Sequence, residues 1–217
     1  MNLVLFSIPW IDALHHQNSF SGIMKTVLIW IVAYVLGSIP FGVLYARTQN
    51  LNLREHGSRN IGATNVARSL GKKAGALTLL GDALKGWLAV ALAAWTLGTP
   101  TAVAGAGLMA FLGHLFSVFL RFKGGKGVAT GLGVSLYIMP LAALGSIAVF
   151  AVTLWTSRYV SLGSILAALA LPLFGLFLKM PLPYITVSLI IALLVLHKHH
   201  ENIQRIMAGT ESQFLKN

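Results

Sequence analysis

"VATGLGVSLYIMPLAALGSIAVFAVTLWT", residues 128–156, is a run of 29 nearly continuous apolar residues, and its reading decides how the chain is threaded. As one helix rising 1.5 Å per residue it would be roughly 43 Å long, against a hydrocarbon core of about 30 Å. Pro140 also stands near its middle, where it removes a ladder hydrogen bond and crowds the preceding turn. As a single crossing, the run would put Arg158 on the opposite side from the basic segments before it. As a short helix over 128–138 and a second over 141–156, it returns the chain to the side it left.

The rest of the chain sets the frame for that choice. Of its 217 residues, 56% are hydrophobic and 10% charged, where soluble domains carry about 25% charged residues; the mean hydropathy is +0.78. Further apolar runs cover 26–45, 74–97, 102–120, 161–178 and 183–196, the first broken near its end by Gly37, Ser38 and Pro40. These lengths predict a polytopic helical membrane protein, and no short alternating strands point to a barrel. The formal charge is +11, from 16 Lys/Arg against five acids. On a soluble chain this would suggest nucleic acid; here it reads first as topology and second as an anionic substrate or headgroup. With 128–156 folded back, every Lys and Arg except Lys25, Lys85 and Lys179 falls on one side, which the positive-inside rule makes cytoplasmic.

The expectation is therefore an all-α integral membrane protein: a seven-helix transmembrane bundle with one or two helices short or partly spanning, the N-terminus outside and the C-terminus cytoplasmic. Five or six conventional spans are the alternative. The short fourth helix packs inside the bundle or is re-entrant. Residues 1–23 lack a basic n-region and make a poor signal peptide; they read as an extension without an assigned role, with Met24 as an alternative start. Residues 24–207 form one membrane-embedded domain, and 208–217 a polar C-terminal tail. With no cysteine, disulfides, thiolate nucleophiles and Cys-ligated metals are excluded.

Four polar segments gather on the basic face. "HGSRNIGATNVAR", 56–68, is dense in donors at Ser58, Asn60, Thr64, Asn65 and Arg68, and Asn60, Thr64 and Asn65 can also cap helix starts. An ordinary capped loop would explain it equally well. "KGGKG", 123–127, combines glycines that can turn consecutive amides toward an anion with lysines beside them, and Thr130 adds a hydroxyl. It is not a Walker A loop, and a flexible basic turn is its plain alternative. "RYVSLGS", 158–164, alone reads as a capped helix entry. "HKHHENIQR", 197–205, could be a solvated amphipathic tail; its histidines lack a second cluster to complete a metal site. His114 reads as a hydrogen-bonded structural residue. Asp82 and Lys85, three residues apart within a span, read as an internal ion pair supporting the site or as part of it. The segments are rich in phosphate binders and poor in carboxylates, so the ligand they suit is phosphorylated.

Taken together, "GSxNxGATN…R", "GHxxxVFxxFKGGKGVAT" read across 113–130, and "HxENIxR" in this order resemble the acyl-phosphate:glycerol-3-phosphate acyltransferases (PlsY-type) over residues 26–207. That resemblance implies a bacterial inner-membrane enzyme of phospholipid synthesis with its active site on the cytoplasmic face. It implies transfer of an acyl group from acyl phosphate to the 1-hydroxyl of sn-glycerol 3-phosphate, giving lysophosphatidic acid and inorganic phosphate. It implies Lys126, His199, Asn202 and Arg68 as catalytic residues. As substrate and phosphate binders it implies Ser58, Asn60, Thr64, Asn65, Gly124, Gly125, Gly127, Val128, Ala129, Thr130, Ser161, Ser164 and Ile203. No metal, cofactor or nucleic acid is expected; the partners are the two substrates and the bilayer, and the oligomeric state is left open, a monomer included. Arg59 departs from the pattern, standing where Gly or Asn is usual.

An acyl phosphate is already an activated mixed anhydride, so the site needs positioning and donors rather than a covalent acyl-enzyme. Backbone amides of the two glycine segments could supply those donors, and either His199 or a substrate phosphate oxygen could take the proton. An anion transporter with broken helices is the rival from another class, and a headgroup-binding scaffold a third. A transporter would need polar groups leading to the far side, and only Asp82, Lys85 and His114 lie partway.

Overall fold

The computed structural model describes residues 19–214. Among them are ten α-helices and one 3₁₀ turn. In order these are α1 (Phe20–Ser38), α2 (Phe41–Thr48), α3 (Ala63–Leu70), α4 (Lys72–Leu97), α5 (Pro100–Leu115), the turn Val118–Leu120, α6 (Val128–Ile138), α7 (Pro140–Ser157), α8 (Val160–Phe177), α9 (Leu182–Lys198) and α10 (His200–Met207).

Pro40 separates α1 from α2. It has no N–H, and its ring disrupts the ladder of the preceding turn, so carbonyls at the end of α1 must find other donors. Ser117 Oγ donates to the Ser38 carbonyl at 2.6 Å and Lys85 Nζ to the Ile39 carbonyl at 2.6 Å. The same ammonium lies 2.7 Å from Asp82, and the two side chains are 1% and 3% exposed. Asp82 is 3.7 Å from His114 Nδ1, which is 3.1 Å from Thr130 Oγ1. One polar chain thus joins the α1–α2 break to α4, α5 and α6. Asp82–Lys85 is the internal ion pair that charges inside a bundle require, and His114 has the structural role expected of it.

Residues 128–156 do fold back. The helix stops at Ile138, Met139 leaves it, and Pro140 opens α7 at the first helical position, where a missing N–H is harmless. At 11 residues α6 is roughly 16 Å long and cannot cross the hydrocarbon. It packs inside, burying Thr130, Gly131, Gly133, Val134, Ser135 and Ile138. A Cβ at Gly133 would run into the Ala83 carbonyl, so glycine lets the α6 and α4 backbones touch. The α7–α8 turn comes back to the end from which α6 started: the Arg158 carbonyl and Ser161 hydroxyl contact residues 214 and 211, which lie beside Asn202 and Lys126.

Helices occupy the apolar runs, but not all have the length of a crossing. Phe20–Thr48, Lys72–Leu97, Pro100–Leu120, Pro140–Ser157 and Val160–Phe177 do; Leu182–Lys198 reaches it only with α10, which is bent 54° from it. By length and composition, the described residues hold five or six candidate spans. The outer surface is apolar, with Leu28, Leu80, Trp95, Val152, Trp155 and Phe177 exposed, while the core is built of small and branched residues around Phe111, Leu115, Val134 and Met139. A second small core of Ala46, Leu53, Ile61, Val66 and Ala74 lies under α3.

Two boundaries move. The first helix begins at Phe20, with Ser19 Oγ accepting from the Gly22 amide, so residues 19–23 belong to the bundle rather than to an extension; residues 1–18 of that extension lie outside the described residues. Residues 208–214 of the expected tail fold back onto the bundle instead of trailing from it, and 215–217 are outside the described residues. Replacing Lys85 with Met should leave Asp82 buried without its cation, costing about 3–5 kcal/mol. Thermal unfolding in detergent, followed by tryptophan fluorescence, would show it as a large fall in midpoint.

Candidate functional site

The glycine loop is docked against the end of α5. The Gly124 and Gly125 amides donate to the carbonyls of Leu115 and His114, at 3.0 and 3.1 Å, satisfying carbonyls that a helix C-terminus leaves without partners. Gly127 has φ +82°, and a side chain there would strike the Phe111 and Leu115 side chains beneath it. The amides of Gly124 and Gly125 therefore face the protein, which corrects the expectation that they form an anion nest. Thr130 is likewise turned inward, fully buried with its hydroxyl on His114, and does not serve as a ligand hydroxyl. What the loop leaves for a ligand is the Lys126 side chain and the first-turn amides of α6 at Val128, Ala129 and Thr130, which precede the internal ladder.

The segment before α3 is organised by Asn65, which is buried. Its amide donates to the carbonyls of Leu53, His56 and Asn60, at 3.3, 3.0 and 2.8 Å, and its oxygen accepts from the Ser58 amide at 2.8 Å. Both ends of the side chain are engaged, so Asn65 shapes the loop and is not a phosphate donor. Asn60 turns back onto the Gly62 amide at 3.0 Å. Among the described residues, no hydrogen bond joins Ser58, Asn60 or Thr64 to the lysine cluster. The segment nevertheless lies beside the glycine loop, because Arg54 donates to the Lys123 carbonyl and Ile61 packs near Gly125.

The cluster forms where the other segments meet. Lys126 Nζ donates to Asn202 Oδ1. Asn202 Nδ2 donates to Glu211 at 2.6 Å, as do Ser161 Oγ at 2.7 Å and Arg205 Nε at 2.7 Å. Arg68 reaches over to the Ser212 carbonyl at 3.2 Å. His199 is buried at the junction of α9 and α10, with Nδ1 2.8 Å from the Val195 carbonyl. A carbonyl only accepts, so Nδ1 carries the proton and Nε2 is left as an acceptor. Burial, and then the Lys126 charge, push the imidazole down to about 4, so it is neutral at physiological pH. Burial and then the Arg205 charge lower Lys126 to about 8, opposed by Glu211 and Glu201. Burial would raise Glu211, but hydrogen bonds from Asn202, Ser161 and Arg205 outweigh it and hold the carboxylate below its ordinary range.

Beside this cluster opens an apolar cavity of about 320 Å³ between α6, α7, α8 and α9, lined near the site by Val128, Ala129 and Ser164 and deeper by Leu132, Phe150 and Leu171. The Ser164 hydroxyl donates to the Val160 carbonyl at 2.8 Å, so it lines the cavity without offering its proton. Ile203 sits half-buried on α10. Lys126, His199, Asn202, Ser161 and Arg68 thus lie together at one end of the bundle. Glu211 and Arg205 were not among the expected residues. With five acids in a chain of net charge +11, each carboxylate was itself a signal. Among the described residues no three His, Cys, Asp or Glu side chains converge as a metal site would require.

Cations, an amide and a helix start at the mouth of an apolar chamber suit an amphiphile with an anionic head, and comparison with known proteins agrees. Residues 27–209 match the family model described as glycerol-3-phosphate acyltransferase. The chain belongs to the glycerol-3-phosphate acyltransferase family. It is 52% identical to the glycerol-3-phosphate acyltransferase of Trichlorobacter lovleyi, covering 88% of this chain and 99% of that one. It is 49% identical to the Geobacter sulfurreducens protein of the same description, over 88% and 98% of the two chains. Among solved structures it resembles PlsY, an integral membrane glycerol 3-phosphate acyltransferase. Against the glycerol 3-phosphate form the TM-score is 0.85 at 41% identity, over 88% of this chain and 96% of that one. Against the lysophosphatidic acid form it is 0.81 at 40%, over 88% and 95%. The protein is an integral membrane acyltransferase of phospholipid synthesis.

Gly127→Ala should misplace Lys126, because alanine meets both a strained φ and the Phe111 ring. A loss of more than about 1 kcal/mol in stability together with loss of acyl transfer is expected, read from a thermal melt and an activity assay on the same preparation.

Proposed function

We propose that the protein transfers an acyl group from acyl phosphate to the 1-hydroxyl of sn-glycerol 3-phosphate, releasing 1-acyl-glycerol 3-phosphate and inorganic phosphate. The observation that carries this reading is the meeting of the Lys126–Asn202 cluster with the apolar cavity at Val128 and Ala129. A phosphate at the start of α6 leaves its acyl chain only one way to go, into the chamber. The solved relative in glycerol 3-phosphate form supports the acceptor, and the one in lysophosphatidic acid form supports the product.

In the reaction the glycerol oxygen attacks the acyl carbonyl carbon, and the bond from that carbon to the phosphate oxygen breaks. The hydroxyl proton ends on the released phosphate, so the stoichiometry needs no other base. His199, neutral and weakly basic, accepts the hydroxyl's hydrogen bond through Nε2 and orients it. Lys126 and the α6 amides stabilise the leaving phosphate, while Arg68 and the remaining N–H of Asn202 hold the acceptor's phosphate; Ser161, whose one proton goes to Glu211, borders the site. Ser58, Asn60 and Thr64 border this site from the neighbouring loop. The basic loops gathered at this end support a site on the cytoplasmic face of a bacterial inner membrane, with the acyl chain entering sideways from the bilayer. The cavity's apolar lining gives an anion no path to the far side, and so favours the transferase over a transporter.

Purified protein given palmitoyl phosphate and glycerol 3-phosphate should release phosphate in step with 1-acyl-glycerol 3-phosphate, and palmitoyl-CoA should not replace the donor. Absence of phosphate release in every detergent and bilayer tried would refute the assignment. Lys126→Ala should lower kcat/KM by over about 100-fold, roughly 2.7 kcal/mol. The wild-type pH profile gives a separate check. Lys126 is charged below about pH 8 and neutral above it, so kcat/KM should fall as pH rises through 8, since this parameter reports the free enzyme.

A further inference from the structure

Glu211 lies beyond the matched residues 27–209, on a strap that polar sequence alone would leave in solvent. The strap turns at Gly209, φ +67°, and the Thr210 and Glu211 amides donate to the Arg205 carbonyl at 2.8 and 3.1 Å. It is then held by Arg68 at the Ser212 carbonyl and by the Phe214 amide on the Arg158 carbonyl. α3, the α7–α8 turn and α10 are tied together by these few residues. At its centre the Glu211 side chain is 7% exposed, a costly place for a carboxylate unless donors surround it. Three do: Ser161, Asn202 and Arg205.

The consequence falls on Asn202. Its oxygen faces the Lys126 ammonium and its NH₂ faces the Glu211 carboxylate. Turning the amide over would set oxygen against carboxylate and NH₂ against ammonium, both repulsive. We infer that Glu211 is a positioning residue for the transfer reaction: held in place by Ser161 and Arg205, its carboxylate fixes the Asn202 amide so that Lys126 and Asn202 present one ordered set of donors to the substrate phosphates. It acts through these side chains and does not itself touch substrate. This rests on the acyl-transfer reading above.

The charged groups around Lys126 define a readout that a merely structural role would not move. Arg68 on α3 and Arg205 on α10 disfavour its charge, Glu201 on α10 and Glu211 on the strap favour it, and His199 beside it is neutral. Removing the Glu211 charge must therefore move the alkaline fall in kcat/KM to lower pH.

The test compares full-length wild type, Glu211→Gln, Glu211→Asp, Asn202→Ala and the Glu211→Gln/Asn202→Ala double variant. Two measurements are made: turnover of palmitoyl phosphate across pH, and affinity for glycerol 3-phosphate from its thermal shift without donor. Glu211→Gln should lower kcat/KM about 10-fold or more, weaken glycerol 3-phosphate binding and shift the alkaline limb downward. Glu211→Asp, which keeps the charge, should recover part of each loss. In the Asn202→Ala background the Gln substitution should add little, because the two act through one contact. Unchanged or increased kcat/KM in Glu211→Gln, an unmoved alkaline limb, or fully multiplicative losses in the double variant would each overturn the inference; an increase would mark the carboxylate as a competitor of substrate phosphate. If Glu211→Gln does not fold, an Asp variant that folds but binds glycerol 3-phosphate no worse than wild type while keeping its pH profile and kcat/KM would overturn it as well. A wild type that binds glycerol 3-phosphate but never turns over acyl phosphate would sink the proposed donor, leaving the Glu211 inference to the binding data.

Discussion

The Lys85 ammonium has one place in the bundle where it can remain charged, and the rest of the architecture is built around that place. It sits between the Asp82 carboxylate and the Ile39 carbonyl, the latter made available by the break at Pro40. In water either partner would be dispensable, because surface ion pairs contribute little. Inside an apolar bundle the unpaired alternatives are far more costly, so α1, α2 and α4 are held in one register. His114 and Thr130 extend the same contacts to the ends of α5 and α6, and those are the ends from which the glycine loop is suspended.

That suspension explains how a mobile sequence becomes a rigid support. Gly124, Gly125 and Gly127 are needed because the loop lies directly on the α5 backbone and the Phe111 ring, with no room for side chains. Lys126 is the one residue of the four with a side chain, and it projects from a floor that cannot shift. Its charge is then set by its own burial and by a balance of neighbours, two arginines against two carboxylates. An environment of this kind favours binding of a dianion, which restores the compensation that burial removed.

The threading was legible from sequence because length, Pro140 and the side of the basic segments agreed: a straight helix over 128–156 overruns the hydrocarbon, and proline named the joint. Lys126, His199 and Asn202 were legible because polar side chains are conspicuous in so apolar a chain. The roles of Gly124, Gly125, Thr130 and Asn65 were not. A glycine in sequence signals freedom of the backbone but not the direction its amide takes, and here α5 carbonyls captured two amides. Asn65 has the same donors whether it meets a phosphate or three carbonyls of its own loop, and only the fold decides between them. Glu211 lay in a stretch without hydrophobic periodicity, so nothing local marked it as anything but tail; its burial comes from contacts with residues 50 positions away, as at Ser161. The number of crossings stayed open for a related reason, since helix existence follows from apolar pattern while crossing depends on where each helix stops.

Where α6 stops has a further effect. At roughly 16 Å it is about half as deep as the hydrocarbon, and the apolar chamber runs alongside it. The wall that α6 gives the chamber ends about half-way through that thickness, and α7, α8 and α9 continue past it. The half-length helix thus ties the chamber's polar mouth to one face of the bundle.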